Sequence, residues 1–205
     1  MCSSDLFDSV AADWDTDPAK VERAQRLAQA VAAAVPLGPG TSVLEYGAGT
    51  GLVSQALAGR VGSITLADNS AGMRRVAEEK ITAGRLPQGT AVWDLDLERQ
   101  SAPEERFDLV VVALVLHHVH GLDRVLGELA GLLRPGGHLC IADLDQEDGT
   151  FHGHDFDVHQ GFDRAELAER LTRAGLTDVT VEDCTELVRE GVTYSVFLAV
   201  ARRPG

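Results

Sequence analysis

"VLEYGAGTG", Val43 to Gly51, decides how this chain is read. A short apolar run ends at a carboxylate, Glu45, and is followed by Gly47, Gly49 and Gly51 at alternate positions. Glycines there do two things: they permit a tight turn, and they let a ligand touch the main chain with no Cβ in the way. The stretch is therefore either a bare strand-to-helix turn or a turn with something large and polar lying against it. Its flanks read as a strand, Ser42 to Tyr46, and a helix, Leu52 to Ala58. That sets the glycines at the carboxyl end of a strand, where ligands bind in open α/β sheets.

Working outward, Val21, Ala24, Ala28, Val31 and Val35 recur at helical spacing and predict a helix over Lys20 to Val35, stopped by "PLGPG" at 36–40. Downstream, strands and helices alternate. Strands are expected at Ser63 to Ala67, Thr90 to Trp93, Phe107 to Leu114 and His138 to Leu144. Helices are expected from Ser70, as N-cap, to about Ala83, over Leu122 to Leu133, and over Asp163 to Ala174 behind an Asp163–Glu166 capping box. "FDLVVVAL" is apolar without interruption, as in a strand buried on both faces. Val179 to Cys184 and Val192 to Ala201 have no helix between them and should pair as a hairpin. The expected architecture is α/β: a doubly wound, mostly parallel sheet of seven strands with an antiparallel C-terminal hairpin and helices on both faces.

The chain has 205 residues, which suits one domain over residues 1–205. Its net charge of −14, from 32 acidic and 18 basic residues, repels a phosphate backbone and argues against nucleic acid. The longest apolar run, Leu109 to Leu116, is too short to span a bilayer. "MCSSDLFDSV" has no basic start and no apolar core, so no secretory signal is read there. Cys2, Cys140 and Cys184 are scattered and suit reduced thiols in a cytoplasmic protein. No membrane partner is expected.

The dinucleotide fingerprint is GxGxxG; here Leu52 stands where its third glycine belongs, and Glu45 ahead of the turn suits a cationic ligand better than a pyrophosphate. About twenty residues on, Asp68 ends "SITLAD", placed to hold two ribose hydroxyls. Asp94 ends a further strand in "VWDLD", able to accept from an adenine amino group.

With "FDLVVVALVLHHV" and "LLRPGG" added in order, residues from about Thr41 to Leu144 resemble the class I S-adenosylmethionine-dependent methyltransferases of the small-molecule type. The resemblance implies a Rossmann-like fold with S-adenosylmethionine as cofactor. It implies that Glu45 and the backbone of Gly47, Ala48 and Gly49 face the methionine part, with Tyr46 among them in an open role. Asp68 would hold the ribose, with Asn69 and Met73 near the adenine. Asp94 and the Leu95 amide would read the adenine edge, and Ala113 and Leu114 would line the sulfonium pocket. It also implies that residues 1–38 form a helical lid, to which Phe7 and Trp14 belong unless they only pin the first helix to the core.

Methyl transfer from a sulfonium is an in-line displacement on an activated donor, so the protein must align the partners and exclude water. A base helps only if the nucleophile is protonated at neutral pH, and histidine is the natural candidate. His117, His118 and His120 follow the fourth strand; a structural or cofactor-pocket role competes with proton transfer, for which His118 is the candidate. The polar loop over 145–162 reads as a second lid. It carries His152, His154 and His159 around Asp155 and Asp157. Pocket lining with His154 or His159 as base, loop structure, and metal binding are its three readings; no further ligand cluster accompanies the HxH pair, so no metal is assigned. Trp14, His152 and Phe156 are the substrate-side candidates. The stretch "ALVLHHVH" lacks the Asn/Asp-Pro-Pro-aromatic motif used on nucleobase nitrogens. The expected acceptor is an O, N or S atom of a small molecule. A non-catalytic adenosine-ligand binder is the alternative, and an NAD-linked oxidoreductase is a weaker one.

Overall fold

Residues with alternating or continuous apolar character become strands, and two of these, β2 (Ser63–Asp68) and β3 (Ala91–Asp94), end in a carboxylate. The computed structural model describes residues 3–152 and 159–205. The chain divides into two compact units, one up to Asp96 and one from Leu97.

The first unit holds α1 (Ser3–Val10), a 3-10 turn (Ala11–Thr16), α2 (Pro18–Ala34), β1 (Ser42–Tyr46), α3 (Leu52–Leu57), β2 (Ser63–Asp68), α4 (Ala71–Thr82) and β3 (Ala91–Asp94). β1 pairs in parallel with β2, Tyr46 opposite Ala67. β2 pairs in parallel with β3, Asp68 opposite Asp94. The register brings the last residues of all three strands to one edge. Ala48, Ile64, Leu66, Ala77 and Leu86 pack beneath as a core. Helix starts follow their caps: Asp17 accepts from the Ala19 amide ahead of Pro18, and Ser70 accepts from the Met73 amide, each satisfying an orphan donor of the first turn.

The second unit holds β4 (Phe107–Ala113), a 3-10 turn (Leu116–His118), α5 (Leu122–Gly131), β5 (Leu133–Leu144), α6 (Arg164–Arg173), β6 (Thr177–Arg189) and β7 (Val192–Arg202). β4 and β5 are parallel, Ala113 opposite Ala142. β7 runs antiparallel to both β5 and β6. The expected cap of α6 is present, with Asp163 accepting from the Glu166 amide. The seven strands form one sheet in the order β3-β2-β1-β4-β5-β7-β6, and the expected mixed seven-strand sheet with an antiparallel C-terminal hairpin is present.

Two strand boundaries differ clearly from the sequence reading. β5 begins at Leu133, five residues before His138, because "RPGG" continues as extended chain past a register shift against β4. β6 runs from Thr177 to Arg189; its side chains are mostly exposed, so no apolar alternation marks its ends. Among the described residues no helix is long and apolar enough to cross a membrane.

Candidate functional site

In the first unit the glycine turn is built by backbone conformation. Gly47, Gly49 and Gly51 have φ of 66°, 54° and 77°, a region that side chains other than glycine rarely enter. The Ala48 amide donates to Ala67 O at 3.0 Å. The Gly49 amide donates to Asp68 Oδ2 at 2.7 Å, and the Ser70 amide to Asp68 Oδ1 at 2.8 Å. The two roles expected of glycine separate cleanly. A Cβ on Gly51 would lie 2.7 Å from Leu66 Cδ1, so that residue serves close packing; a Cβ on Gly49 would meet only Met73 Sδ, at 3.8 Å, so open space lies before it.

Glu45 is 3% exposed and accepts from the Ser54 amide at 2.9 Å. Burial pushes its pKa up to about 7, against the hydrogen bonds from Ser54 and the charge of Lys80. Tyr46 and Ala48 are buried beside it. Burial also raises the pKa of Asp68, opposed by the Ser70 and Gly49 amides. Each Asp68 oxygen accepts one amide, and a carboxylate offers about four lone-pair sites, so acceptor capacity is left over. Asn69 is exposed and Met73 is buried. Asp94 is gripped by Arg74 through two bonds of 3.1 and 3.0 Å, and Arg74 also donates to Asp68 O at 2.9 Å. The Leu95 amide makes a long bond, 3.5 Å, to Asp68 O.

The N-terminal segment is fastened over this edge by two aspartates. Asp8 accepts from Ser70 Oγ at 2.5 Å and the Gly72 amide at 2.7 Å, and the Ser70 hydroxyl and Gly72 amide lower its pKa. Asp15 accepts from Thr50 Oγ1 at 2.5 Å and pairs with the buried Lys80 ammonium at 2.8 Å. Phe7 and Trp14 meet edge to face at 5.9 Å and pack on Ala11, Met73 and Val76. The Lys20 ammonium sits 3.9 Å over the Trp14 ring. These contacts pin the N-terminal segment to α4.

In the second unit, Ala113 and Leu114 close β4. Leu114 has φ of 58°, a strained value for a leucine, while its amide donates to Ala142 O at 2.8 Å. The chain then turns so that Asp143, fully buried in β5, gathers three donors. These are the Leu116 amide at 2.9 Å, the Leu144 amide at 2.8 Å and His117 Nδ1 at 2.6 Å. Burial works to raise the Asp143 pKa, but the His117 ring and the two amides hold it below the usual carboxylate value. His118 lies with its ring centre 4.1 Å from that of His117, and His152 lies 5.0 Å from His117 and 4.8 Å from His118. Burial, followed by the neighbouring imidazoles, pushes the pKa of His118 down to about 3. Burial, then His117 and Arg189, push that of His152 down to about 4. At neutral pH a base so weak has little driving force for proton transfer, which disfavours the base role read for His118 from the sequence.

His159 holds the returning limb of the 145–162 loop: its amide donates to His117 O at 2.7 Å and its Nε2 to Val119 O at 2.8 Å. His120 is exposed, with its amide on Glu98 at 2.9 Å. The loop base is closed by a bridge between Asp145 and Phe162 and by Arg164, which grips Asp145 through two 2.6 Å bonds. His154 and Phe156 lie outside the described residues, as do Asp155 and Asp157. Sequence reasoning missed Asp143, Asp8, Asp15, Arg74 and Lys80. All five carry ordinary surface charges in sequence, and only the fold brings them to their partners.

Residues 44–141 match the methyltransferase domain family. An uncharacterised methyltransferase of Schizosaccharomyces pombe is 32% identical over 157 residues, covering 69% of this chain and 55% of that protein. The demethylmenaquinone methyltransferase of Thermobifida fusca is 33% identical over 141 residues, covering 68% and 59%. The chain thus spans little more than half the length of these relatives. Among solved structures, the N-methyltransferase NodS of Bradyrhizobium japonicum, in complex with S-adenosylhomocysteine, superposes with a TM-score of 0.76 at 21% identity, covering the whole of both chains. At that identity the likeness speaks for the fold. Family match and fold agree: residues 44–141 are a methyltransferase domain, and the fold is that of the class I S-adenosylmethionine-dependent methyltransferases.

Proposed function

We propose that the chain transfers a methyl group from S-adenosylmethionine to an O, N or S atom of a small-molecule acceptor. The observation that carries this reading is the glycine turn, with an open face at Gly49 and its amide held by Asp68. The residues present fit the cofactor: the face before Gly49 has room that a Cβ would intrude on, Asp68 keeps lone pairs for two ribose hydroxyls, and Glu45 and Asp68 favour a cation. The bound cofactor would supply a methyl group already activated on a sulfonium. The chain's own task is to bind, orient and exclude water. Asp68 orients the nucleoside and, through the Gly49 amide, sets the turn. The segment over 1–38, tied down by Asp8 and Asp15, is the proposed cover of the cofactor edge. The loop over 145–162 is the proposed cover of the acceptor. For an acceptor protonated at neutral pH, His159 has Nδ1 free of its Nε2–Val119 bond to take the proton.

A small acceptor fits the net charge of −14, which disfavours nucleic acid, and the names of relatives. One of these, from Bordetella parapertussis and 36% identical over 111 residues, is a ubiquinone/menaquinone biosynthesis C-methyltransferase, so carbon acceptors belong in the same screen. We place the activity in the cytoplasm, where the Cys140 and Cys184 thiols stay reduced. The test is a screen of metabolites with methyl-labelled S-adenosylmethionine. Label should pass to a small molecule, and His159→Ala should lower kcat while leaving cofactor affinity in place. A chain that binds the cofactor yet labels nothing across quinone, amine, thiol and phenol acceptors would favour the non-catalytic binder.

A further inference from the structure

The histidines of the second unit converge in a way that base catalysis does not explain. One ring nitrogen from each of His117, His118 and His152 lies within 4.8 Å of the other two. The three ring centres are 4.1, 5.0 and 4.8 Å apart. For a tetrahedral ion with metal–nitrogen bonds of about 2.0–2.1 Å, ring centres should stand roughly 5 Å apart. Nitrogens on such an ion stand about 3.3 Å apart, so binding draws the rings inward from a spacing of up to 4.8 Å.

The surroundings are those of a metal ligand set. Nδ1 of His117 is taken by the buried Asp143 carboxylate at 2.6 Å, which leaves Nε2 facing away from it. A carboxylate behind a ligating imidazole fixes its tautomer and raises its basicity. Asp143 is itself fixed by the Leu116 and Leu144 amides, so the turn bearing His117 and His118 is preset. On the other side, Phe151 packs edge-on against His152 at 4.8 Å and against Tyr194 at 5.0 Å, and its amide is held by Glu147 at 3.0 Å. His152 thus stands on a supported limb of the loop.

We propose that His117, His118 and His152 form a three-imidazole site for a borderline divalent transition ion, zinc above all, with Asp143 as the carboxylate behind His117. Imidazole donors suit zinc and its neighbours and do not suit magnesium or calcium, which take oxygen. Three protein ligands leave a fourth position open to solvent or to an oxygen or sulfur donor. The site uses the "HH" pair after β4 together with the first histidine of the loop, a combination invisible to a search for close ligand spacing. It holds whichever acceptor the enzyme uses.

The test uses the tag-free, chelator-stripped full chain, titrated with Zn2+ against a competing fluorescent chelator, and with Co2+ followed by visible absorption. One equivalent of zinc should bind, with Mg2+ failing to displace it, and Co2+ should give the ligand-field bands of a four-coordinate site. His118→Gln and His152→Gln should lose stoichiometric binding. Asp143→Asn should bind about 10–100-fold more weakly. His138→Ala, outside the cluster, should bind as the parent does. Circular dichroism confirms that each variant is folded, and the Co2+ bands report the ligand set separately from stability. Absence of stoichiometric zinc in the parent chain, or its retention in both glutamine variants, overturns the site.

Discussion

Asp68 carries two duties at once, and substitution separates them from the rest of the edge. Its oxygens hold the Gly49 and Ser70 amides, and the proposed second duty is to accept from the ribose hydroxyls with the remaining lone pairs. Asp68→Ala should weaken S-adenosylmethionine binding by about 1–3 kcal/mol, the scale of charged hydrogen bonds, read by calorimetry; unchanged affinity would place the ribose elsewhere. Glu45 gives a pH signature. Its folded pKa is raised from 4.5 to about 7 by burial, so between those values the folded state keeps a proton that the unfolded state gives up. Its contribution to stability therefore declines as pH rises through that window, by on the order of 3 kcal/mol. Glu45→Gln should remove the decline, so that its melting temperature gains on the parent between about pH 4.5 and 7; parallel pH profiles would show that Glu45 ionises freely. Asp143 has the opposite sign. Its folded pKa lies below the ordinary value, so its stabilisation is present above that value and is lost as acid brings the pH down through the folded one. The glycine turn and the carboxylates at the strand ends were legible in position because they belong to a local strand–turn–helix pattern. The partners of His117 and Ser70 were not, since Asp143 and Asp8 stand 26 and 62 residues away from them.

Among the elements, the helices and inner strands follow from periodicity and caps, since burial on one or both faces writes itself into the pattern. β6 was underestimated because an exposed edge strand has no such imprint, and the start of β5 because "RPGG" reads as a helix stop and yet continues as strand. The 145–162 loop was legible as a polar excursion but not as a closed one. Its closure depends on Gly161, with φ of 69° and a virtual Cβ 2.0 Å from Asp145 O. Gly161→Ala should cost about 1–3 kcal/mol and open the bridge between Asp145 and Phe162. Amide exchange of Gln146 and Phe162 would report it; unaltered protection would mean the base is held by Arg164 and Asp145 alone.

At the scale of the whole molecule, two units of different character make up the sheet. The first presents acidic groups and a bare turn at its strand ends, and the second presents clustered imidazoles. The ligand proposed for the first is a nucleoside bearing a positive sulfur rather than a pyrophosphate, because Leu52 occupies the third glycine position and Glu45 precedes the turn. The direct measurement is calorimetric titration of the purified chain with S-adenosylmethionine, S-adenosylhomocysteine and NAD. Saturable one-to-one binding of the first two, with no heat from NAD, is the expected result. A folded chain that ignores both sulfur nucleosides, or one that saturates with NAD, would contradict it.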